Sequence, residues 1–185
     1  MSSESPRKSI LRKLFFAGAL VILVIIGLFG VKYQNYIYAV VWHSVHGNYV
    51  QVDGHRMKLP LLWWKREADT YDTTLLVRAA RFRTPLESTI TVDPLLLGEA
   101  SDTDQEVLRI AQAMVSSRQN NSTWDVVSLV TITPKPFNLY CMRDDLSLVG
   151  YINIMCHAAT ARYSYTYQGH SIHEKEAMQI FSSIE

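Results

Sequence analysis

Residues 14–31 read LFFAGALVILVIIGLFGV, eighteen consecutive residues without a charged side chain. Thirteen of them are Leu, Ile, Val or Phe. As a helix rising 1.5 Å per residue, the run spans roughly 27 Å, close to the bilayer hydrocarbon thickness of about 30 Å. Each of those thirteen side chains favours insertion by roughly 0.3–0.6 kcal/mol, a gross gain of order 6 kcal/mol. The run therefore predicts a transmembrane helix. It divides the chain into a short tail (1–13), the membrane segment (14–31), a stalk or helix continuation (32–47) and a folded domain (48–185).

Immediately before the run stand Arg7, Lys8, Arg12 and Lys13, opposed only by Glu4, whereas Lys32 alone follows closely behind it. This asymmetry directs the N-terminus into the cytoplasm and the domain outside it. The expectation is a single-pass protein of a bacterial inner membrane, in contact with lipid through residues 14–31. Tyr33, Tyr36, Tyr38 and Trp42 suit the outer interface, where amphipathic rings collect. Two other readings of the run are a cleaved signal peptide and a buried helix of a soluble protein. A signal peptide has an apolar region of about 7–15 residues followed by small residues at a cleavage site. Here Ala17-Gly18-Ala19 lies inside the run, and no Ala-x-Ala pattern follows it. No cysteine near the N-terminus offers a point of lipid attachment.

Residues 48–185 carry 13 Lys and Arg against 16 Asp and Glu, a formal charge of −3. A nucleic-acid-binding surface is normally basic, so nucleic acid is not the expected partner. The local bias of Arg78, Arg81 and Arg83 against Glu99, Asp102, Asp104 and Glu106 fits two solvated faces, one internal ion-pair patch, or a site for an anionic ligand.

The domain opens with alternation over residues 49–52, the turn pair Asp53-Gly54, and a return strand over residues 55–59. Pro60 argues against a long strand through Trp63-Trp64. Further strands are expected over residues 73–82 and 88–92. Residues 102–119 form the expected soluble helix, with Val107, Leu108, Ala111, Met114 and Val115 at three- and four-residue steps. Thr103 and Glu106 have the spacing of a capping box, and Arg118 suits the C-terminal end. Asn120-Asn121-Ser122 reads as a loop; with Thr123 it also contains overlapping glycosylation sequons. Residues 125–133 form a strand stopped by Pro134 and Pro136. Residues 137–142 and 149–157 read as consecutive strands around a polar turn, Arg143-Asp144-Asp145. Residues 161–167 alternate strictly, Tyr163, Tyr165 and Tyr167 sharing one face, and Gly169 is expected to break the strand. Ser171 and Glu174 have the spacing of a second capping box, opening a helix through Ile184 with Ala177, Ile180, Phe181 and Ile184 as its apolar stripe. Runs of strands joined by short turns, with two helices, give an α+β domain built on an antiparallel sheet.

The early hairpin leading to Leu59-Pro60 and Trp63-Trp64, the middle helix, the strands to Tyr167-Gln168-Gly169 and the closing helix ending Ile180-Phe181-Ser182-Ser183-Ile184 together resemble the PsbP-like α/β/α sandwich. The resemblance covers most of residues 48–185 and implies a fold. No residue here matches a motif that defines a function in that family, so none is carried over.

Cys141 and Cys156 are the only cysteines. Outside the cytoplasm they are candidates for a disulfide; two buried reduced thiols, or a catalytic or metal-bound thiol, are the other readings. The pair lacks Cys-x-x-Cys spacing. His43 with His46, and His170 with His173, lack an evident third metal ligand, so no metal or other cofactor is expected. Gly-x-Ser-x-Gly, a Gly-rich phosphate loop and His-Glu-x-x-His are all missing, and no catalytic residue is assigned. Trp63, Trp64 and the alternating tyrosines fit either a core or a contact surface. The expected function is a non-enzymatic binding or assembly protein of the envelope with a protein partner, and Trp63, Trp64, Arg81, Arg83 and Tyr165 as contact residues. A small-ligand sensor or carrier, with Arg78, Arg81 or Arg83 at the mouth of an apolar pocket, is the second reading. A hydrolytic enzyme is the third.

Overall fold

The computed structural model of the chain describes residues 6–52, 54–67, 73–79, 87–95, 103–121, 126–134, 136–146, 149–159 and 163–185. One helix, α1 (Pro6–His46), runs unbroken through the apolar segment and the following fifteen residues. Over Phe15–His46 it is long and apolar enough to cross a membrane. The side chains of its first apolar half are largely exposed. Gly47, at φ +73°, ends it by donating its N–H to His43 O at 2.9 Å, the left-handed helix stop that glycine reaches without steric cost.

A hairpin follows, β1 (Tyr49–Val52) against β2 (His55–Lys58), with Val52 opposite His55. Gly54 of the expected turn has φ +77°; Asp53 lies outside the described residues. The main sheet has seven antiparallel strands. A first meander is β3 (Trp63–Arg66), β4 (Thr74–Arg78) and β5 (Thr89–Pro94); α2 (Asp104–Asn121) then leads to a second, β6 (Val126–Ile132), β7 (Leu139–Leu146), β8 (Tyr151–His157) and β9 (Tyr163–His170). The spatial order is β3-β4-β5-β9-β8-β7-β6, so the two meanders join through β5 and β9. A 3-10 turn, Ser171–His173, enters α3 (Glu174–Ser182).

Side-chain alternation gives each sheet face its own helix. Leu139, Cys141, Ile152, Ile154, Tyr165, Tyr167, Ile90 and Leu76 share one face and form the core with Ala177, Ile180, Phe181 and Ile184 of the α3 segment and with Val50, Val52 and Met57 of the hairpin. The expected stripe of α3 is thus fully used. The C-terminal residue ties the hairpin down: Arg56 and Glu185 exchange backbone N–H···O bonds of 3.0 and 2.9 Å. On the other face α2 covers β6 and β7, burying Val107 and Ala111.

Four local expectations are corrected. Arg143-Asp144-Asp145 is no turn: β7 continues to Leu146, because Arg143 and Asp145 pair with each other and Arg143 with Glu174, while Asp144 sits beneath the α2 side. Gly169 does not break β9, which runs to His170. The capping box at Ser171 and Glu174 does not form; His173 occupies the N-cap position of α3 without a side-chain capping bond, and the Glu174 carboxylate goes to Arg143. Asn120 and Asn121 belong to the last turn of α2, while Ser122 lies outside the described residues. At Thr103 the first capping box is half made, its Oγ1 accepting the Glu106 N–H at 3.3 Å.

Candidate functional site

Three polar or aromatic assemblies stand out. The first is the seat of α1 on β3. Tyr38 packs on Trp64 with ring centroids 5.9 Å apart, and Ala39 and His43 are buried. His43 Nε2 lies 2.8 Å from Trp63 O and 3.1 Å from Pro60 O, and Nδ1 lies 3.0 Å from Gly47 O. Both ring nitrogens face backbone carbonyls and whichever carries the proton donates, so His43 clasps α1 to the start of β3. His46 stacks on Trp42 at 4.9 Å.

The second surrounds the start of α3. Trp63 Nε1 donates to Glu176 at 2.8 Å, and the Arg78 guanidinium donates twice to the same carboxylate, at 2.6 and 3.0 Å. Arg78 holds Glu176 below the ordinary carboxylate range through this hydrogen bond, helped by the Trp63 N–H and opposed by burial. Arg143 makes the equivalent two-pronged contact with Glu174 at 2.7 and 3.1 Å, which holds its guanidinium firmly protonated. Between these pairs, Ser88 Oγ lies 2.8 Å from His173 Nδ1 and accepts the His170 N–H at 3.2 Å. Tyr167 donates to His170 O at 2.8 Å, and burial pushes its hydroxyl up to about 12. Burial, with the nearby Arg78 charge, holds the His173 imidazole below its ordinary value, which favours the neutral ring beside the Ser88 hydroxyl. Gly169 makes this contact possible: a Cβ there would stand 2.4 Å from Ser88 Oγ and 2.7 Å from Ser88 Cα.

A Ser–His pair is the start of a nucleophile, but here the serine is 4% exposed and its oxygen already serves as an acceptor. The arrangement latches β5, β9 and the 3-10 turn together. Arg78, expected at the mouth of a ligand pocket, is instead consumed by Glu176.

The third assembly lies between α2 and the sheet. Met114 of α2 stands over Met142 and Met155, which are directly opposite each other on β7 and β8. They line a shallow groove of 440 Å³ flanked by Arg109 and Arg118. Neither arginine makes an ion pair among the described residues. Beside the groove, Asp144, Asn153, Gln168 and Thr89, in register across β7, β8, β9 and β5, form a polar row towards the sheet centre, flanked by Val127 on β6.

The expected contact residues separate. Trp63 and Tyr165 are 0% and 1% exposed and so cannot touch a partner; their rings fill the core, where an aromatic side chain gains most from burial. Trp64 points to the opposite face and stays half-buried beside α1. Arg81 and Arg83 lie outside the described residues. Cys141 and Cys156 are directly opposite on β7 and β8 with Cα atoms 4.0 Å apart, and their sulfurs are at disulfide distance. His170 and His173 rings are 6.2 Å apart and perpendicular, with His173 turned to Ser88. No three His, Cys, Asp or Glu side chains converge as a metal-ligand set among the described residues.

Asp144, Asn153 and the Ser88–Gly169 contact escaped the sequence reading. The signal for Asp144 was available only as a long alternation through residues 139–146, interrupted by three charged residues that resemble a turn. No protein-family model matches the chain, and no curated protein matches it.

Proposed function

We propose that this chain is a single-pass membrane protein whose domain lies outside the cytoplasm and acts as a non-enzymatic binding or assembly module for a protein partner of a bacterial envelope. The observation that carries this reading is the continuity of α1. One helix leads from an exposed apolar half directly into a buried seat on β3, with His43 clamped between three carbonyls. A domain mounted this way has a fixed bearing on the membrane, and anchoring raises its effective concentration near membrane partners. The four basic residues before the apolar run support the orientation. The acids and bases gathered at α3 are engaged with one another, which favours binding over catalysis as the use of this scaffold. We also infer that the sheet, with α2 on one face and α3 on the other, is a PsbP-like sandwich.

The contact surface on this reading includes Trp64, which lies beside the α1 seat, together with Arg81 and Arg83. Alkaline phosphatase fused after Glu185 should be active and a fluorescent protein dark at the same point; the reverse pattern overturns the topology. A photo-crosslinking residue at position 64 should capture a discrete membrane or envelope protein in host membranes, whereas capture of lipid alone would remove the partner assignment.

The methionine groove supports a second reading, a carrier or sensor of a small anionic amphiphile. Its floor is apolar and its flanking charges are Arg109 and Arg118 rather than the arginines expected from sequence. A thermal-shift series with fatty acids that left the wild-type protein unmoved would dismiss it.

A further inference from the structure

Beyond Lys32, α1 runs on for 14 residues, 33–46, without a Lys, Arg, Asp or Glu. One side of this stretch is used by the domain. Ala39 and His43 are buried there, and Trp42 packs half-buried against the core. Two residues along an α-helix turn a side chain by about 200°. Ile37 and Val41, two positions before Ala39 and His43, therefore stand on the far side, each 52% exposed. Val45, one turn further, is 71% exposed. Lipid does not reach the upper part of this apolar stripe. The uncharged run between Lys13 and Lys32 fills the hydrocarbon, and the headgroup layer adds only about 5–8 Å on each side. At 1.5 Å per residue, Val41 and Val45 stand about 14 and 20 Å beyond Lys32.

The stripe continues back into the membrane with a fixed spacing. Leu23, Gly27, Gly30, Gln34, Ile37 and Val41 follow one another in alternating steps of four and three. That is the 3.5-residue repeat of two helices wound around each other. A second copy of this chain fits the seam best. Copies inserted in one membrane run parallel, so each seam residue meets its own counterpart at the same height. The sole formal charge between Leu14 and His46 is Lys32, which lies seven residues before Ala39 and so on the domain side of the helix. Two copies therefore bring no like charges together along the seam. Glycine is disfavoured inside a helix, yet Gly27 and Gly30 stand where an added Cβ would meet nothing within 4 Å in the single chain. Their use is between chains, where small residues let two backbones approach. Gln34 is exposed on the same line, and its Nε2 donates to Tyr38 of its own chain at 3.2 Å. The amide keeps a second N–H and an oxygen for the copy across the axis, and one polar residue in an apolar seam fixes the register.

We propose that two copies of this chain pair in parallel along α1, through a seam running from Leu23 to Val41. Each domain is seated on the side of its helix away from the seam, so the pair carries its two domains on opposite flanks. This inference rests on the spanning topology proposed above, which makes the copies parallel.

The test uses the full chain in host membranes, with Cys141 and Cys156 left as they are. On mild oxidation, Ile37→Cys and Val41→Cys should give disulfide-linked dimers, whereas Asn35→Cys and Tyr36→Cys, off the seam, should stay monomeric. Gly30→Leu adds bulk at the seam where the single chain has open space, and it should abolish the Ile37→Cys crosslink. Gly18→Leu adds the same bulk off the seam, also into open space, and should leave the crosslink intact. Sedimentation of the detergent-purified chain should show the same division, a dimer for the wild type and Gly18→Leu and a monomer for Gly30→Leu. Equal crosslinking at positions 35 and 37, a dimer surviving Gly30→Leu, or loss of the dimer in Gly18→Leu overturns the proposal. So does a position-37 crosslink made only to a protein of different sequence. Absent crosslinks with an active phosphatase fusion after Glu185 remove the pairing and leave the topology standing; an inactive fusion removes both.

Discussion

Gly169 and Ser88 show how one missing side chain joins two halves of a sheet. With a Cβ at position 169, atoms would stand 2.4 and 2.7 Å from Ser88, the second contact being to backbone. Gly169→Ala should therefore cost about 1–3 kcal/mol, the usual range for forcing atoms into a packed interior. Ser88→Ala should not rescue it, because Ser88 Cα remains in the way; the midpoint of urea unfolding measures both. The polar neighbours carry a pH signature of one sign. Glu176 and His173 are each held below their ordinary values of 4.5 and 6.5 in the fold, so the unfolded chain binds their protons more readily. Stability is complete above about pH 6.5 and falls on acidification, first through His173 and then, near and below pH 4.5, through Glu176. His173→Gln should flatten the upper part of that decline and Glu176→Gln the lower part. An unfolding midpoint constant from pH 7.5 to 4 would contradict both shifts. Tyr167 acts at the other limit: raised to about 12, it costs stability as pH climbs from 10 towards 12.

Among the elements, α2 and α3 were legible from their apolar stripes, because helical periodicity depends only on spacing along the chain. Strand β7 was not. Arg143, Asp144 and Asp145 have turn chemistry taken alone, and they stay in the strand only because Glu174 of α3 neutralises one face. Glu174 was read as a cap for its own helix, yet an arginine on another element outbid the local backbone for it. The β7–β8 pair is also where the cysteines meet. A crosslink between positions separated by 15 residues stabilises by about 3 kcal/mol in the chain-entropy model. The double substitution of Cys141 and Cys156 by Ala should lower unfolding free energy by about that amount, and reductant should then have no further effect. Phe181→Ala, which empties the centre of the α3 contact, should cost about 3–5 kcal/mol.

For the whole molecule, the C-terminal part of α1 packs on β3 of the domain. Ala39 and His43 lie on α1 but are buried against the sheet, so residues 32–47 are part of the fold and not merely a spacer. Removing residues 1–31 should leave a folded domain. Removing residues 1–47 should lower Tm by about 5 °C or more, since 1 kcal/mol moves Tm by about 2–4 °C at this size. Equal melting temperatures for the two truncations would mean that the seat on β3 contributes nothing.

Local chain chemistry alone determined the apolar helix, the glycine that stops it, the hairpin and the two amphipathic helices. Each depends on periodicity or on the conformational range of a few adjacent residues. Tertiary structure decided which tryptophan is buried, where each arginine is spent, why Gly169 lies inside a strand, and that Asp144 is interior. Those outcomes depend on which distant side chain supplies the compensating charge or the empty space, and spacing along the chain carries no record of that partner.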